Sequence, residues 1–165
     1  MNFKERLQKV KCFVFDIDGV LTDGQLHILQ DGTMLRNMNI KDGYALRQAF
    51  LKNYPIFVIS GSNAEGVKQR LKNLGIEEVY LNCKDKLDQL SVLLVKHHLT
   101  YDDVLYMGDD IPDLEVMKKC GVATCPNDAV HQIKAISIYI SDYCGGKGAV
   151  RDVIEQTLKL HGHFE

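Results

Sequence analysis

The sequence predicts an α/β fold in three layers, a parallel sheet with helices on both faces. Three observations predict it. Short apolar runs alternate with helical patterns along the whole chain, which is how parallel sheets are wound. The runs are continuously apolar rather than alternating, as expected of strands covered on both faces. One early segment breaks the rhythm with an Asp-Gly turn and reads as a β-hairpin flap.

The elements follow in order. KCFVFD (11–16) is the first strand and ends in Asp16-Ile17-Asp18-Gly19. LHILQDGTMLRNMNI (26–40) places Asp31-Gly32 between two apolar-containing arms, the hairpin signal. IFVIS (56–60) is the next strand, and Val67, Leu71 and Leu74 then share one helical face. EVYL (78–81) precedes a helix with Leu87, Leu90 and Leu94 on one face, closed by His97-His98. VLYMGD (104–109), GVAT (121–124) and ISIYI (136–140) are further strands, and Val150, Val153 and Ile154 mark a last helix. Asn63 and Asn127 are read as helix N-caps. With no internal repeat, low-complexity tract or linker, residues 1–165 are read as one domain.

Composition narrows the function. The chain is 45% hydrophobic and 25% charged with a formal net charge of −2, so it is globular and lacks the basic surplus of a nucleic-acid binder. No apolar stretch reaches the length of a membrane span, and MNFKERLQKVK has no apolar signal-peptide region. The five cysteines form no C-x-x-C pair and read as small packing residues in a reducing compartment. The expectation is a cytoplasmic protein with neither a nucleic-acid nor a membrane partner.

The chemistry sits at the strand ends, where open parallel sheets build their sites. The first strand ends in Asp16 and Asp18, the second in Ser60-Gly61, and VLYMGD in Asp109-Asp110, with Asp113 one turn on. Lys86 lies just past EVYL. Clustered carboxylates repel one another unless a cation joins them. With oxygen donors and no His or Cys nearby, that cation is a hard one, Mg²⁺. Mg²⁺, a lysine and a hydroxyl together receive a phosphoryl group. An aspartate held there can attack phosphorus, and a second acid two residues on can protonate the departing alkoxide and then deprotonate water. Gly19 allows a sharp turn that offers backbone N–H groups to phosphate oxygens.

FDIDGVLTDG, ISG, DK and GDDIPD resemble the four ordered motifs of the haloacid dehalogenase superfamily, and Asp18 at the +2 position resembles its phosphatase and mutase branch. DGVLTDG, IKDGYAL, LGIEEVY, GDDIPDLEVM and GGKGAVRDVIE further resemble the 3-deoxy-D-manno-octulosonate 8-phosphate phosphatases and their nonulosonate 9-phosphate relatives, from residue 11 to about 156. The resemblance implies a Rossmann-like domain and a phosphoric monoester hydrolase that releases the free sugar acid and phosphate through an aspartyl-phosphate, in lipopolysaccharide precursor synthesis. It assigns Asp16 as nucleophile and Asp18 as general acid/base. Ser60, the Gly61 amide and Lys86 bind phosphate. Asp16, the Asp18 carbonyl and Asp109 ligate Mg²⁺, and Asp110 and Asp113 support them. Only about 40 residues separate Asp18 from Ser60, and 25 lie between Ser60 and Lys86. Neither gap holds a cap domain, which favours hydrolysis over mutase chemistry.

Two departures stand out. Ser60-Gly61-Ser62 occupies the place of the usual Thr-Gly-Arg, so a plausible contact to the sugar-acid carboxylate is missing, and a nine-carbon 3-deoxy-nonulosonate 9-phosphate stays open as substrate. Leu81-Asn82 replaces a Gln-Gly, a turn that Asn tolerates. The hairpin, marginal alone in water, and the resemblance together imply a homotetramer whose subunits complete one another's sites. In it, the Gly-rich YCGGKGAVRD is a mobile segment carrying Lys147 and Arg151 as substrate or interface cations. His-Gly-His (161–163) is read as a frayed tail. A non-enzymatic receiver-like phospho-acceptor module is the alternative from another class; it would place its acid pair first, put the acceptor on a later strand, and lack a +2 acid.

Overall fold

The computed structural model describes residues 2–164. A first short helix, α1 (Phe3–Leu7), leads into strand β1 (Cys12–Phe15). The hairpin follows as β2 (His27–Ile28) and β3 (Met34–Leu35), then helix α2 (Ile40–Leu51) and strand β4 (Ile56–Ile59). The chain continues through α3 (Glu65–Asn73), β5 (Val79–Tyr80), α4 (Lys86–Lys96), β6 (Val104–Met107) and α5 (Leu114–Met117). It closes with β7 (Val122–Cys125), α6 (His131–Ile136), β8 (Tyr139–Ile140) and α7 (Ala149–Leu160).

Six strands form one parallel sheet in the order β5-β4-β1-β6-β7-β8. The order reverses around β1, so the crevice beyond its carboxyl end is where such a sheet opens a site. All four residues of β1, β4, β6 and β7 are buried, which explains why their sequences show no polar alternation. Side-chain period 2 sends Phe13 and Phe15 into a core shared with α2, α3 and α7. Cys12 and Val14 enter a second core under α4, α5 and α6. The α/β three-layer expectation holds, with the antiparallel β2–β3 pair standing outside the main sheet.

Boundaries differ from the sequence reading in instructive places. Asn63 does not cap α3; the cap position is Ala64, without a side-chain bond, while Asn63 Oδ1 accepts from Asn82 Nδ2 at 3.3 Å. Nor does Asn127 cap α6, which starts after Val130. The run ISIYI divides, since Ile136 ends α6 and only Tyr139–Ile140 pair with β7. Asn82 adopts φ 52°, the left-handed turn anticipated there. Cys144 is exposed, against the expectation of packing cysteines, whereas Cys12, Cys120 and Cys125 are buried.

The tail is not frayed. Tyr54 Oη lies 2.6 Å from His161 Nδ1 and 2.9 Å from His163 Nδ1, and His161 Nε2 is 3.0 Å from the Leu7 carbonyl. The carbonyl accepts only, so His161 Nε2 carries a hydrogen and donates to it. This chain of bonds ties the end of α7 to α1 and to the start of β4. No helix among the described residues is long and apolar enough to cross a membrane.

Candidate active site

The site begins where β1 stops. Asp16 N still donates to the Met107 carbonyl at 3.2 Å, and then the Asp16 Oδ1 accepts from the Ile17 N–H at 2.7 Å, turning the chain out of the sheet. Gly19 takes φ +82°, and a Cβ there would fall 1.9 Å from Asp109 Oδ2. No other residue type fits both the backbone conformation and the neighbouring carboxylate. Thr22 Oγ1 accepts from the Gly19 and Gly24 N–H groups, both at 3.3 Å, and fixes the loop.

Three other strand ends converge on this loop. Ser60 follows β4, and its Oγ accepts from the Ser62 N–H at 3.1 Å and lies 2.9 Å from Ser62 Oγ. Lys86 opens α4 behind the Asp85 N-cap. Its buried ammonium lies 2.9 Å from Asp16 Oδ2 and 2.8 Å from Asp113 Oδ1. Asp109 follows β6, and its N–H donates to Asp113 Oδ2 at 3.2 Å. A cavity of about 300 Å³ gathers Asp16, Asp18, Ser60, Gly61, Lys86 and Asp109.

Electrostatics follow from crowding. Carboxylate oxygens of Asp16, Asp109 and Asp113 come within 4.8 Å of one another. Burial, then the Asp113 charge, push the Asp16 carboxyl well above the ordinary carboxylate range, against the opposing pull of Lys86. Asp109 is pushed up to about 7 by burial and by Asp113 and Asp110. Burial works against the charge of Lys86, but Asp16 and Asp113 outweigh it and hold the ammonium charged. Asp109 Oδ1 is buried without a hydrogen-bond partner among the described residues. An orphaned carboxylate oxygen beside two further acids suits a hard cation, and Asp16 with Asp109 would hold it.

Asp113 sits behind the other acids. It is fully buried, and Oδ1 receives both the Lys86 ammonium and the Tyr106 hydroxyl, each at 2.8 Å. Its oxygens are occupied by protein donors, so it anchors Lys86 and the Asp109 backbone. Tyr106 was not legible as part of the site. A tyrosine inside an apolar strand needs a hydroxyl partner, but the sequence does not say which. Asp110 stands at the mouth of the same cavity: it is exposed, lines the rim, and its Oδ1 accepts from its neighbour Ile111 N–H at 2.7 Å, capping a turn.

Lys147 and Arg151 are not gathered into the acid cluster. Lys147 is exposed. Arg151 donates through Nε to Glu155 at 2.9 Å and lies over the Tyr44 ring, and its N–H donates to Asp42 at 2.9 Å. The Gly-rich segment between them and the site is docked rather than mobile. Gly146 N–H donates to the Val20 carbonyl at 3.0 Å, Gly145 N–H to Asp128 at 2.9 Å, and a Cβ on Gly145 would fall 1.8 Å from the Gly19 carbonyl oxygen. These glycines let one backbone lie directly on the loop that presents Asp16 and Asp18. Arg36, on the hairpin, was also missed: its guanidinium pairs with Asp18 at 2.7 Å.

No family model matches the chain. A curated relative from Salmonella typhi, the 3-deoxy-D-manno-octulosonate 8-phosphate phosphatase KdsC, is 33% identical over 160 residues, covering 97% of this chain and 85% of its own. The chain belongs to this phosphatase family. The KdsC of Haemophilus influenzae is 29% identical over 159 residues, 96% of this chain and 88% of its own. Among solved structures, a probable YrbI family phosphatase from Pseudomonas syringae pv. phaseolica superposes with a TM-score of 0.94 at 35% identity, over 97% of this chain and 91% of that one. The family phosphatase of Moraxella catarrhalis, in complex with magnesium ion, phosphate ion and a KDO molecule, also gives 0.94 at 32% identity, over 98% and 92%. The three-layer fold without a cap domain is thus the fold of this family.

Proposed function

We propose that this protein is the Mg²⁺-dependent phosphatase of 3-deoxy-D-manno-octulosonate 8-phosphate, releasing phosphate and the free sugar acid that lipopolysaccharide precursor synthesis consumes. The observation that carries the reading is Lys86 Nζ set between Asp16 Oδ2 and Asp113 Oδ1 beside the orphaned Asp109 Oδ1. It supports reading Asp16 as the nucleophile and Asp109 as a cation ligand, beside a fixed ammonium around one small cavity. Kinship with KdsC supports the substrate.

In the reaction, the Lys86 ammonium, the Ser60 hydroxyl and the Gly61 N–H hold the phosphoryl oxygens. An Asp16 oxygen attacks phosphorus in line with the ester bond. That bond breaks with its electron pair on the sugar oxygen, and Asp18 delivers the proton that makes it an alcohol. Asp18, now a carboxylate, takes a proton from water as the water oxygen attacks the aspartyl-phosphate, which regenerates Asp16 and frees phosphate. Asp16, the Asp18 carbonyl and Asp109 would hold Mg²⁺, which would neutralise charge on the acids and the phosphoryl group.

The nine-carbon 3-deoxy-nonulosonate 9-phosphate is a second substrate reading, favoured by Ser62, whose hydroxyl is turned to Ser60 where an arginine would reach outward. Assembly as a homotetramer fits the hairpin, where Ile28 is 66% and Met34 52% exposed on a pair of strands with no further strand partner among the described residues. Phosphate release from the eight-carbon and nine-carbon substrates and from a hexose phosphate, with Asp16→Asn as control, tests the assignment. The eight-carbon substrate should lead and the variant should be inert. A hexose phosphate turned over faster than both sugar acids would overturn the substrate, and an active variant would overturn the mechanism.

A further inference from the structure

Arg36 follows β3 on the returning arm of the hairpin, and its guanidinium forks onto Asp18. Nε lies 2.7 Å from Oδ1 and Nη2 3.4 Å from Oδ2. The arginine side chain is 10% exposed and that of Asp18, which lines the acid cavity, 38%. Asp18 makes its carboxylate hydrogen bonds among the described residues to Arg36. The fork takes one lone pair of each Asp18 oxygen and holds the carboxylate in the plane of the guanidinium, so Asp18 turns to a leaving group or to water only when the fork loosens. For the proposed reaction, the fork must open.

The guanidinium has somewhere to go. Arg36 also lines a groove of about 670 Å³ between the hairpin and the start of α3, with Asn63, Glu65 and Arg70 on its other wall. Ser62 lines the acid cavity and its neighbour Asn63 lines this groove, so the two spaces adjoin. A phosphate seated on Ser60 and Lys86 leaves the remainder of its ester to extend along that direction. Two arginines face the single carboxylate of Glu65 there, which suits an anionic far end. Ser62 offers no such charge, and its hydroxyl is engaged by Ser60.

We propose that Arg36 is a positioning residue that changes partners in each cycle. In the free enzyme it holds Asp18; in the complex it transfers to the carboxylate of the substrate and leaves Asp18 free to serve the departing oxygen. The inference rests on the phosphatase reading above and deepens it. Its consequence is selectivity by release: a neutral sugar phosphate can fill the phosphate site, but it has nothing to draw the fork off Asp18. A planar fork suits the exchange, because carboxylate replaces carboxylate in the same two-point geometry.

The test compares wild type, Arg36→Ala and Arg36→Lys on two substrates, the eight-carbon 3-deoxy sugar-acid phosphate and a neutral hexose phosphate. With the acidic substrate, Arg36→Ala should raise KM by on the order of 10 to 100-fold with a smaller change in kcat, as expected for a lost charge-assisted contact. Arg36→Lys keeps the charge without the fork and should recover part of that loss. With hexose phosphate, Arg36→Ala should increase kcat, roughly threefold or more, because Asp18 is no longer restrained. A residue that only braced the hairpin would lower both substrates together, and a residue that only bound the carboxylate would leave hexose phosphate unchanged; either result overturns the exchange. If wild type shows no preference for the acidic substrate, the substrate assignment fails. The hexose-phosphate comparison then still decides whether Arg36 restrains Asp18.

Discussion

Replacing Asp109 with asparagine should make the metal-free protein more stable while abolishing its use of Mg²⁺. Asp109 carries a buried Oδ1 with no hydrogen-bond partner among the described residues, next to Asp16 and Asp113, and its carboxyl is held at about 7 against an ordinary 3.8. The folded chain therefore keeps a proton that the unfolded chain releases. Stability of the metal-free protein should be greatest below about pH 4 and decline as pH rises to about 7, the reverse of a salt-bridged aspartate. At about 1.4 kcal/mol per tenfold change, the distance from 3.8 to about 7 sets a ceiling of about 4 kcal/mol. Solvent reaches part of this side chain, so about 2 kcal/mol is the expected size. Asp16 adds to the slope in the same direction, because its carboxyl is also raised, by burial first and Asp113 next. The assay is urea or thermal unfolding in chelator between pH 4 and 8. At pH 7.5 Asp109→Asn should unfold about 4–8 °C above wild type and show a flatter pH dependence. Adding Mg²⁺ at 100 times its Kd should stabilise wild type by about 2.7 kcal/mol and leave the variant unmoved. Equal pH slopes in chelator, or a variant less stable than wild type at pH 7.5, would refute the electrostatic reasoning.

Lys86→Met should destabilise the metal-free protein by about 3–5 kcal/mol, since Asp16 and Asp113 lose their buried counter-charge, and should cut kcat by on the order of 10³; phosphate release above a tenth of wild type would count against its role. Gly145→Ala should cost roughly 1–3 kcal/mol and slow turnover, because the new methyl must push the Gly19 carbonyl away; Gly66→Ala, with nothing within 4 Å of its Cβ, is the control, and equal kinetics for the two would remove the argument. Deleting the hairpin tip around Asp31-Gly32 should give smaller species by sedimentation with poor activity; a fully active monomer would end the shared-site reading.

Much of the site is legible in the sequence. Strand-end acids stood out because an apolar run that stops in Asp-x-Asp is costly without a cation, and parallel winding forces such ends to one edge. The hairpin was visible because Asp31-Gly32 suits a tight turn: Gly32 takes φ +86° and Asp31 Oδ1 accepts from the Thr33 N–H at 2.9 Å. Cap positions were less legible. Asn63 and Asn127 are good caps by residue type, yet α3 and α6 start elsewhere because packing of Val67, Leu71 and Ile133 sets where those helices begin.

What the sequence by itself determined is therefore local: which segments are buried strands, where they end in acid, and which residue types can hold phosphate and a hard cation. These follow from side-chain period and charge, which act over a few residues. Only the tertiary structure decided the pairings across the chain. Asp113 is tied to Lys86 and Tyr106, Gly145 lies against Gly19, the tail histidines meet at Tyr54, and Arg36 closes on Asp18. Each joins groups far apart in sequence or on opposite arms of a turn. Hydrogen-bond reach is about 3 Å, so whether two such groups meet is fixed by the packing of whole helices and strands rather than by spacing along the chain.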